Sequence, residues 1–164
     1  MRKRVLWLAA ALTLVLAGVL PVQTRDVSEL LPAQVLCVWT EGTQVCVRCD
    51  CGASGAGQTL EAAFADMERT TEGVLFLDTA EDILLAAGAR ELTGALARCS
   101  ALRPAARLYL TDGEMIDPAQ ARAFLQAHPG GMTLGAVRAA LLETGEASLP
   151  RLHREEGRLR LLEG

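Results

Sequence analysis

From residue 35 onward, short runs of strand length, either apolar or alternating between apolar and polar, are interspersed with stretches whose apolar residues recur with helical spacing. The runs stand at 35–39, 45–49, 74–77, 83–87, 107–111 and 158–161. Between the second and third runs, Leu60, Ala63, Phe64 and Met67 follow helical spacing. Short apolar or alternating runs indicate strands, and a period near 3.6 indicates an amphipathic helix. The pattern predicts an α+β fold: a mixed β-sheet opening with an N-terminal hairpin, packed by about four amphipathic helices.

Capping residues mark the starts of the predicted helices. Thr59 precedes the first helical stretch, and Asp117 is followed by a proline and then by Gln120, as in a capping box. This second helix is predicted to end near His128, before a Pro-Gly-Gly sequence. Thr133 is the predicted N-cap of the next helix. These signals place helix boundaries more firmly than periodicity alone.

The N-terminus carries the features of an export segment. Basic residues at positions 2–4 precede an apolar run over 5–20. A charged region followed by an apolar one is typical of a signal peptide, and the run is slightly short for a membrane span. Residues 1–24 are therefore predicted to be a signal peptide or an N-terminal membrane anchor, and residues 25–164 a single domain. Val19 stands where a bacterial lipoprotein would need its lipid-bearing cysteine, so that route of attachment is not expected.

Composition argues against nucleic acid as a partner. The formal net charge is -4, and the aromatic residues are limited to 2 Trp, 1 Tyr and 3 Phe. Nucleic-acid binding uses basic patches, and single strands also need aromatic stacking surfaces. The expected location is at the extracytoplasmic face of a membrane, or outside the cell if the leader is cleaved.

The runs at 35–39 and 45–49 predict a β-hairpin. If Glu41 and Gly42 form a two-residue loop, Cys37 faces Cys46. A directly opposed, non-hydrogen-bonded pair has Cα atoms about 4.5 Å apart, which is within the range for a disulfide. The cysteines could therefore form one structural bridge, or they could all be small core residues.

Cys46, Cys49 and Cys51 form a Cys-x-x-Cys-x-Cys sequence that superficially resembles a metal or redox site. Side chains three apart on one strand point to opposite faces, so Cys46 and Cys49 would share a metal only if the strand ended or bulged between them. A redox dithiol would also need a helix N-terminus, whereas Cys49 is followed by Asp50 and glycine. No metal site and no cofactor is predicted. The Gly-rich stretch 50–57 has neither P-loop spacing nor a lysine, and it is predicted to be a flexible connection.

The sequence offers little for catalysis, and we predict that the protein is not an enzyme. Ser54, Ser100 and Ser148 lie in no nucleophile elbow, and neither His128 nor His153 has a plausible acid partner in the sequence. The acidic pairs Glu81–Asp82 and Glu155–Glu156 are interpreted as solvated turn charges. No catalytic, cofactor-binding or metal-binding residue is therefore assigned.

The order of these features resembles the N-terminal domain of the C subunit of spore germination nutrient receptors. The segments that carry the resemblance are Asp26-Val27-Ser28-Glu29-Leu30, the hairpin with its Glu41-Gly42 turn, Gly57-Gln58-Thr59-Leu60-Glu61-Ala62, Val74-Leu75-Phe76-Leu77 with Ile83-Leu84-Leu85, and Arg103-Pro104-Ala105-Ala106-Arg107-Leu108-Tyr109-Leu110. The resemblance implies a protein on the outer face of the spore inner membrane. It would assemble with integral membrane subunits and couple a nutrient signal to germination, without catalytic residues.

The chain departs from that family in three respects. Val19 replaces the lipid-bearing cysteine, Thr79 stands where the family often has histidine, and Gly164 lies about where the next domain would begin. Two other interpretations remain open. The chain could be an unrelated membrane-anchored interaction module, or a Cys-dependent metal or redox protein.

Overall fold

A computed structural model describes Trp7, residues 30–112 and residues 116–162. The strands are β1 (Leu30–Pro32), β2 (Val35–Glu41), β3 (Gln44–Cys49), β4 (Ser54–Gly57), β5 (Val74–Phe76), β6 (Asp82–Ala86), β7 (Arg107–Thr111), β8 (Met132–Thr133), β9 (Arg151–Glu155) and β10 (Arg158–Leu162). The α-helices are α1 (Leu60–Thr70), α2 (Thr93–Arg98), α3 (Pro118–Ala127) and α4 (Leu134–Glu143). Short 3-10 helices cover Leu77–Thr79 and Ala87–Leu92.

The main sheet is mixed, and its strands follow the order β10-β9-β7-β6-β2-β3-β4. Its centre is parallel, because β2, β6, β7 and β9 run in one direction. Antiparallel hairpin partners flank this centre, β3 and β4 on one side and β10 on the other. The small strand β8 pairs with the start of β7, and β1 and β5 form a separate parallel pair. The fold is α+β, as the sequence predicts.

Helices cover both faces of the sheet because successive side chains on each strand point to opposite sides. Leu36 and Val38 of β2 belong to the larger apolar cluster, to which α1, α2 and α4 contribute. Val35 and Cys37 belong to the smaller cluster on the opposite face, to which α3 contributes Ala121 and Leu125. The central strands are therefore buried on both faces, which explains their continuous apolar sequences.

The capping predictions are confirmed. The side chains of Thr59, Asp117 and Thr133 accept hydrogen bonds from backbone N–H groups three residues on, at 3.2, 3.0 and 3.2 Å. Helix α3 ends at Ala127, one residue before the predicted end. Each cap satisfies one of the N–H groups that the first helical turn leaves without an intrahelical partner.

The predicted hairpin forms, but the prediction that Glu41 and Gly42 make its loop was wrong. Glu41 pairs with Gln44, so Gly42 and the following threonine make the two-residue loop. Gly42 adopts a φ of 60°, and a glycine with positive φ at the first loop position is favoured in tight hairpins. The shift places Arg48 opposite Cys37 and Trp39 opposite Cys46. Cys37 and Cys46 are therefore diagonal neighbours across the hairpin and do not form the directly opposed pair that was predicted.

The prediction that 50–57 is a flexible connection was also wrong, since its second half forms β4. A Cβ atom on Gly55 would lie 2.4 Å from the backbone of Ala63 and Met67, and one on Gly57 would lie 2.6 Å from the Ala63 nitrogen. Glycine in a strand often marks such a close approach of another backbone. These glycines therefore allow α1 to pack directly on the edge of the sheet.

The predicted leader over 1–24 lies outside the described residues, apart from Trp7. Within the part of the chain that the structure describes, no helix is long and apolar enough to cross a membrane.

Candidate functional site

The strand geometry separates two of the cysteines in the Cys-x-x-Cys-x-Cys sequence. Cys46 and Cys49 point to opposite faces of β3, as predicted, and Cys49 belongs to the larger apolar cluster. Burial, together with the neighbouring Cys51, raises the pKa of Cys49 to about 12. Among residues 30–112 and 116–162, no group of three or more His, Cys, Asp or Glu side chains could hold a metal ion.

Cys37 is a buried thiol that contacts the loop before α3. Its Sγ–H donates to the carbonyl of Ile116 at 3.5 Å, and the side chain is free of disulfide bonds. Burial, with a smaller contribution from the Asp117 carboxylate, raises the pKa of Cys37 to about 12. The thiolate is the nucleophilic form of cysteine, so at neutral pH this side chain behaves as a small core residue.

Asp82 is buried, which corrects the interpretation of Glu81 and Asp82 as solvated turn charges. It begins β6, is only 2% exposed, and accepts hydrogen bonds from the Arg107 Nε and Nη2 atoms at 2.7 and 2.8 Å. The Tyr109 hydroxyl donates a third bond at 3.1 Å. Burial and the Asp82 charge raise the pKa of Tyr109. Glu81 forms an ion pair with Arg103 at 3.6 Å, and both side chains are substantially exposed.

Asp50 is a second buried carboxylate, and sequence reasoning missed its role. Its Oδ1 accepts the backbone N–H groups of Gln34 and Val35 at 2.9 and 3.1 Å, and its Oδ2 accepts from Arg122 on α3 at 3.1 Å. The Asp50 side chain is 3% exposed. This carboxylate joins the end of β3, the start of β2 and α3, so its role is structural.

A small cleft lies at the carboxyl ends of β2, β6 and β7, where ligands usually bind in parallel sheets. Its volume is about 250 Å³, and Trp39, Ala86 and Ile116 are among its apolar walls. Its polar groups include the hydroxyls of Thr40 and Thr111, which donate to backbone carbonyls at 3.5 Å. None of the described residues that line it carries a charged side chain. The cleft is below the roughly 300–1,000 Å³ of typical small-molecule sites.

The histidines lie apart from this cleft. His128 stacks on Phe124 at the end of α3, with ring centroids 4.5 Å apart. His153 lies on β9, and its buried Nδ1 atom has no hydrogen-bond partner among the described residues. Neither histidine is therefore placed to serve this cleft.

The second acidic pair, Glu155–Glu156, lies at the turn before β10. Glu155 forms a 2.9 Å ion pair with Arg160, and both side chains are largely exposed.

The sheet edge at β4 is closed by α1. The Ala56 N–H donates to Asp66 Oδ2 at 3.1 Å, and the Thr70 hydroxyl donates to the Ser54 carbonyl at 3.2 Å. The Ala56 N–H, and after it the Arg69 guanidinium, lower the pKa of Asp66. Helix α1 thus occupies both a donor and an acceptor of the edge strand, which prevents another strand from pairing there.

The opposite edge, at β10, carries no further strand among the residues that the structure describes, and we call it the open edge. In the described part of the chain, β10 pairs with β9 alone. Glu156 and Gly157 form the two-residue turn with φ values of 50° and 79°, and Glu155 pairs with Arg158. The two residues that close such a turn exchange both N–H···O=C hydrogen bonds. The pairs that follow along the strands are alternately non-hydrogen-bonded and hydrogen-bonded. The N–H and C=O groups of Leu159 and Leu161 therefore point away from β9, toward the free edge.

The two faces of β10 differ in chemistry. Leu159 and Leu161 pack into the smaller apolar cluster. Arg158, Arg160 and Leu162 project from the other face and are exposed. The sequence predicts strand 158–161 and the turn before it but misses β9. The signal for β9 was Gly157 just before the predicted strand, because glycine is favoured at positive φ in a two-residue loop that joins two strands.

Comparisons with known proteins leave the chain without an assigned relative. No protein family, no curated protein and no solved structure matches it.

Proposed function

We propose that this protein is a non-enzymatic extracytoplasmic accessory protein of spore germination, which acts through contacts with the integral membrane subunits of a nutrient receptor. The observation that carries the proposal is the asymmetry of the sheet edges. The β4 edge is closed by Asp66 and Thr70 of α1, whereas β10 has only β9 as a neighbour among the described residues.

An open edge strand is a natural place for protein contact. Its unpaired N–H and C=O groups can form hydrogen bonds with another strand, and soluble proteins normally block such edges. Many recognition domains bind a partner by adding one of its strands to their own sheet. The exposed arginines of β10 limit nonspecific pairing, because charged side chains are a common means of protecting an edge. This combination supports selective contact with a partner.

The buried polar groups support a binding role rather than a chemical one. Asp50 and Asp82 are both satisfied by internal hydrogen bonds to backbone N–H groups, arginine or tyrosine. Cys37 and Cys49 have pKa values near 12 and are protonated at neutral pH. Each of these groups acts to stabilise the fold.

The germination setting follows from the sequence resemblance, and the predicted leader provides the location. The motif beginning at Gly57 precedes α1, and the run at 74–77 gives β5 and a 3-10 turn before β6. This is the element order that the resemblance implies. The leader would place the domain on the outer face of the membrane, beside integral subunits.

The test is a deletion of the gene in the source organism, with complementation by the wild-type chain carrying an affinity tag. We expect normal spore yield, slower nutrient-triggered germination, and recovery of multi-span membrane proteins with the tagged chain after detergent extraction. An unrelated tagged protein with the same residues 1–24 is the control for the leader alone. Normal nutrient response in the deletion strain would contradict the proposal.

A further inference from the structure

The open edge at β10 has a charge and apolarity pattern that specifies what can pair with it. Resting on the proposed function, we propose that β10 receives an extended segment of its partner in which acidic and apolar residues alternate. The apolar residues would extend the cluster around Leu159 and Leu161, and the acidic residues would lie beside Arg158 and Arg160.

The backbone geometry supplies the pairing groups. Because Arg158 closes the hairpin opposite Glu155, the backbone N–H and C=O groups of Leu159 and Leu161 face away from β9. These two residues present two N–H donors and two C=O acceptors along the edge. A strand lying beside β10 satisfies all of them in one continuous ladder.

The side chains supply the selectivity. Leu159 is 8% exposed and lies in the cluster that includes Leu152 and Leu125, so a partner side chain on that face meets an apolar neighbourhood. On the other face, Arg160 is 63% exposed and shares only Glu155 as an ion-pair partner among the described residues. Opposite charges on neighbouring strands stabilise their pairing, and like charges oppose it. An acidic–apolar alternation fits both faces at once.

A second copy of the chain fits this edge less well. Antiparallel self-pairing over the full length of β10 is centred on Arg160 and places that residue opposite Arg160 of the other copy. Like charges directly opposite each other are destabilising. The arginines therefore favour a different, acidic strand over self-association.

The experiment measures binding of short labelled peptides to the full-length chain in detergent, by fluorescence anisotropy. The probe is Ser-Val-Glu-Val-Glu-Val-Ser, and the comparison peptides are Ser-Val-Lys-Val-Lys-Val-Ser and a scrambled form with adjacent glutamates. We expect the alternating acidic peptide to bind at least tenfold more tightly than either. Its binding should weaken as NaCl rises from 50 to 300 mM, because salt screens exposed charges.

Two N-methylated peptides test whether binding uses the strand edge. A strand beside β10 directs alternate N–H groups toward it, so methylation of one alternating set blocks pairing and methylation of the other does not. We expect the peptide methylated at the valines and the peptide methylated at the glutamates to differ at least tenfold. Equal binding by the two would overturn the proposal.

Charge reversal on the protein completes the test. The double variant Arg158→Glu with Arg160→Glu should bind the acidic peptide at least tenfold more weakly than wild type. It should bind the lysine peptide more tightly than wild type. Arg90→Glu with Arg98→Glu changes two exposed arginines outside the sheet, so it is the control matched in charge and should bind like wild type. Circular dichroism verifies that each variant is folded.

The outcomes separate this proposal from the proposed function. Equal binding of acidic, basic and scrambled peptides, or a dimer formed through β10 in analytical ultracentrifugation, would overturn the acidic-strand proposal even if the deletion strain germinates slowly. Selective peptide binding with normal germination in the deletion strain would support the edge specificity and contradict the germination function.

Discussion

Arg107 on β7 donates two hydrogen bonds to Asp82 on β6, at 2.7 and 2.8 Å, and the two residues are direct neighbours in the parallel ladder. The Asp82 side chain is 3% exposed and that of Arg107 23%, so the carboxylate is nearly removed from water. The forked geometry of the guanidinium matches both carboxylate oxygens. The pair fixes the start of β6 against the start of β7, at the amino ends of these parallel strands.

Removing the cation should strongly destabilise the protein. Arg107→Leu leaves a buried carboxylate with only the Tyr109 hydroxyl as a side-chain donor, and we expect the free energy of unfolding to fall by about 3–5 kcal/mol. The double variant Arg107→Leu with Asp82→Leu should recover part of this loss, because no uncompensated charge remains. Urea denaturation measures both. A double variant no more stable than the single one would argue against an unpaired charge as the cause.

The close contact between β4 and α1 predicts the effect of a single methyl group. Gly55→Ala would place a Cβ atom 2.4 Å from the backbone of α1, so the helix must move. We expect a loss of about 1–3 kcal/mol, typical of overpacking. Gly88→Ala is the matched control, since nothing lies within 4 Å of its added Cβ. Thermal unfolding should separate the two variants, and equal melting temperatures would contradict the packing of α1 on β4.

Asp50 should contribute to stability through its acceptors more than through its charge. Asp50→Ala removes the acceptor for the Gln34 and Val35 N–H groups, at a cost of about 1–3 kcal/mol for each donor left unsatisfied and buried. Asp50→Asn keeps an oxygen at this position and should be less destabilising, because the Arg122 side chain is 44% exposed. Chemical denaturation of the two variants is the measurement. Equal losses would show that the carboxylate charge matters more than the two backbone bonds.

The buried thiol of Cys37 makes stability sensitive to alkaline pH. Its pKa is about 12 in the folded protein against an ordinary value of 9.0, so the unfolded chain loses this proton first as pH rises. Its contribution to stability is therefore complete below pH 9 and is lost progressively between about pH 9 and 12. The loss approaches about 1.4 kcal/mol per pH unit for one thiol.

Cys37→Val removes the titrating group at nearly constant size. We expect the variant to lose less stability than wild type between pH 8.5 and 10.5 in urea titrations at fixed ionic strength, with the Cys49 contribution still present. Parallel pH profiles for the two proteins would contradict ionisation of Cys37 as the cause.

Local signals in the sequence gave correct predictions where the cause is local. The caps at Thr59, Asp117 and Thr133 bond to residues three positions on, so their geometry depends on a single turn of chain. The run at 107–111 forms β7 with the predicted boundaries, because continuous apolar residues have few alternatives to a buried strand. Glu156 and Gly157 form the turn between β9 and β10, where the sequence placed the turn charges Glu155 and Glu156.

Other features arise from contacts between residues distant in the chain. Asp82 follows Glu81 in what looks like a solvated turn, yet Arg107 lies 25 positions away and neutralises it in the interior. The stretch 50–57 has the composition of a linker, but its second half pairs with β3 and packs against α1 through Gly55 and Gly57. A shift of the hairpin loop by one residue moves each cross-strand partner by two positions, so Cys37 faces Arg48 instead of Cys46.

The amino-acid sequence alone thus determined the α+β class, the starts of α1, α3 and α4 and most strands, because periodicity, caps and turn residues act over a few positions. The tertiary structure decided the strand order, the partners of the buried carboxylates and the difference between the two sheet edges. These depend on which distant segments pack together, and burial then changes the energetic cost of every charge and every unpaired backbone group. The open edge at β10 is visible only at that level.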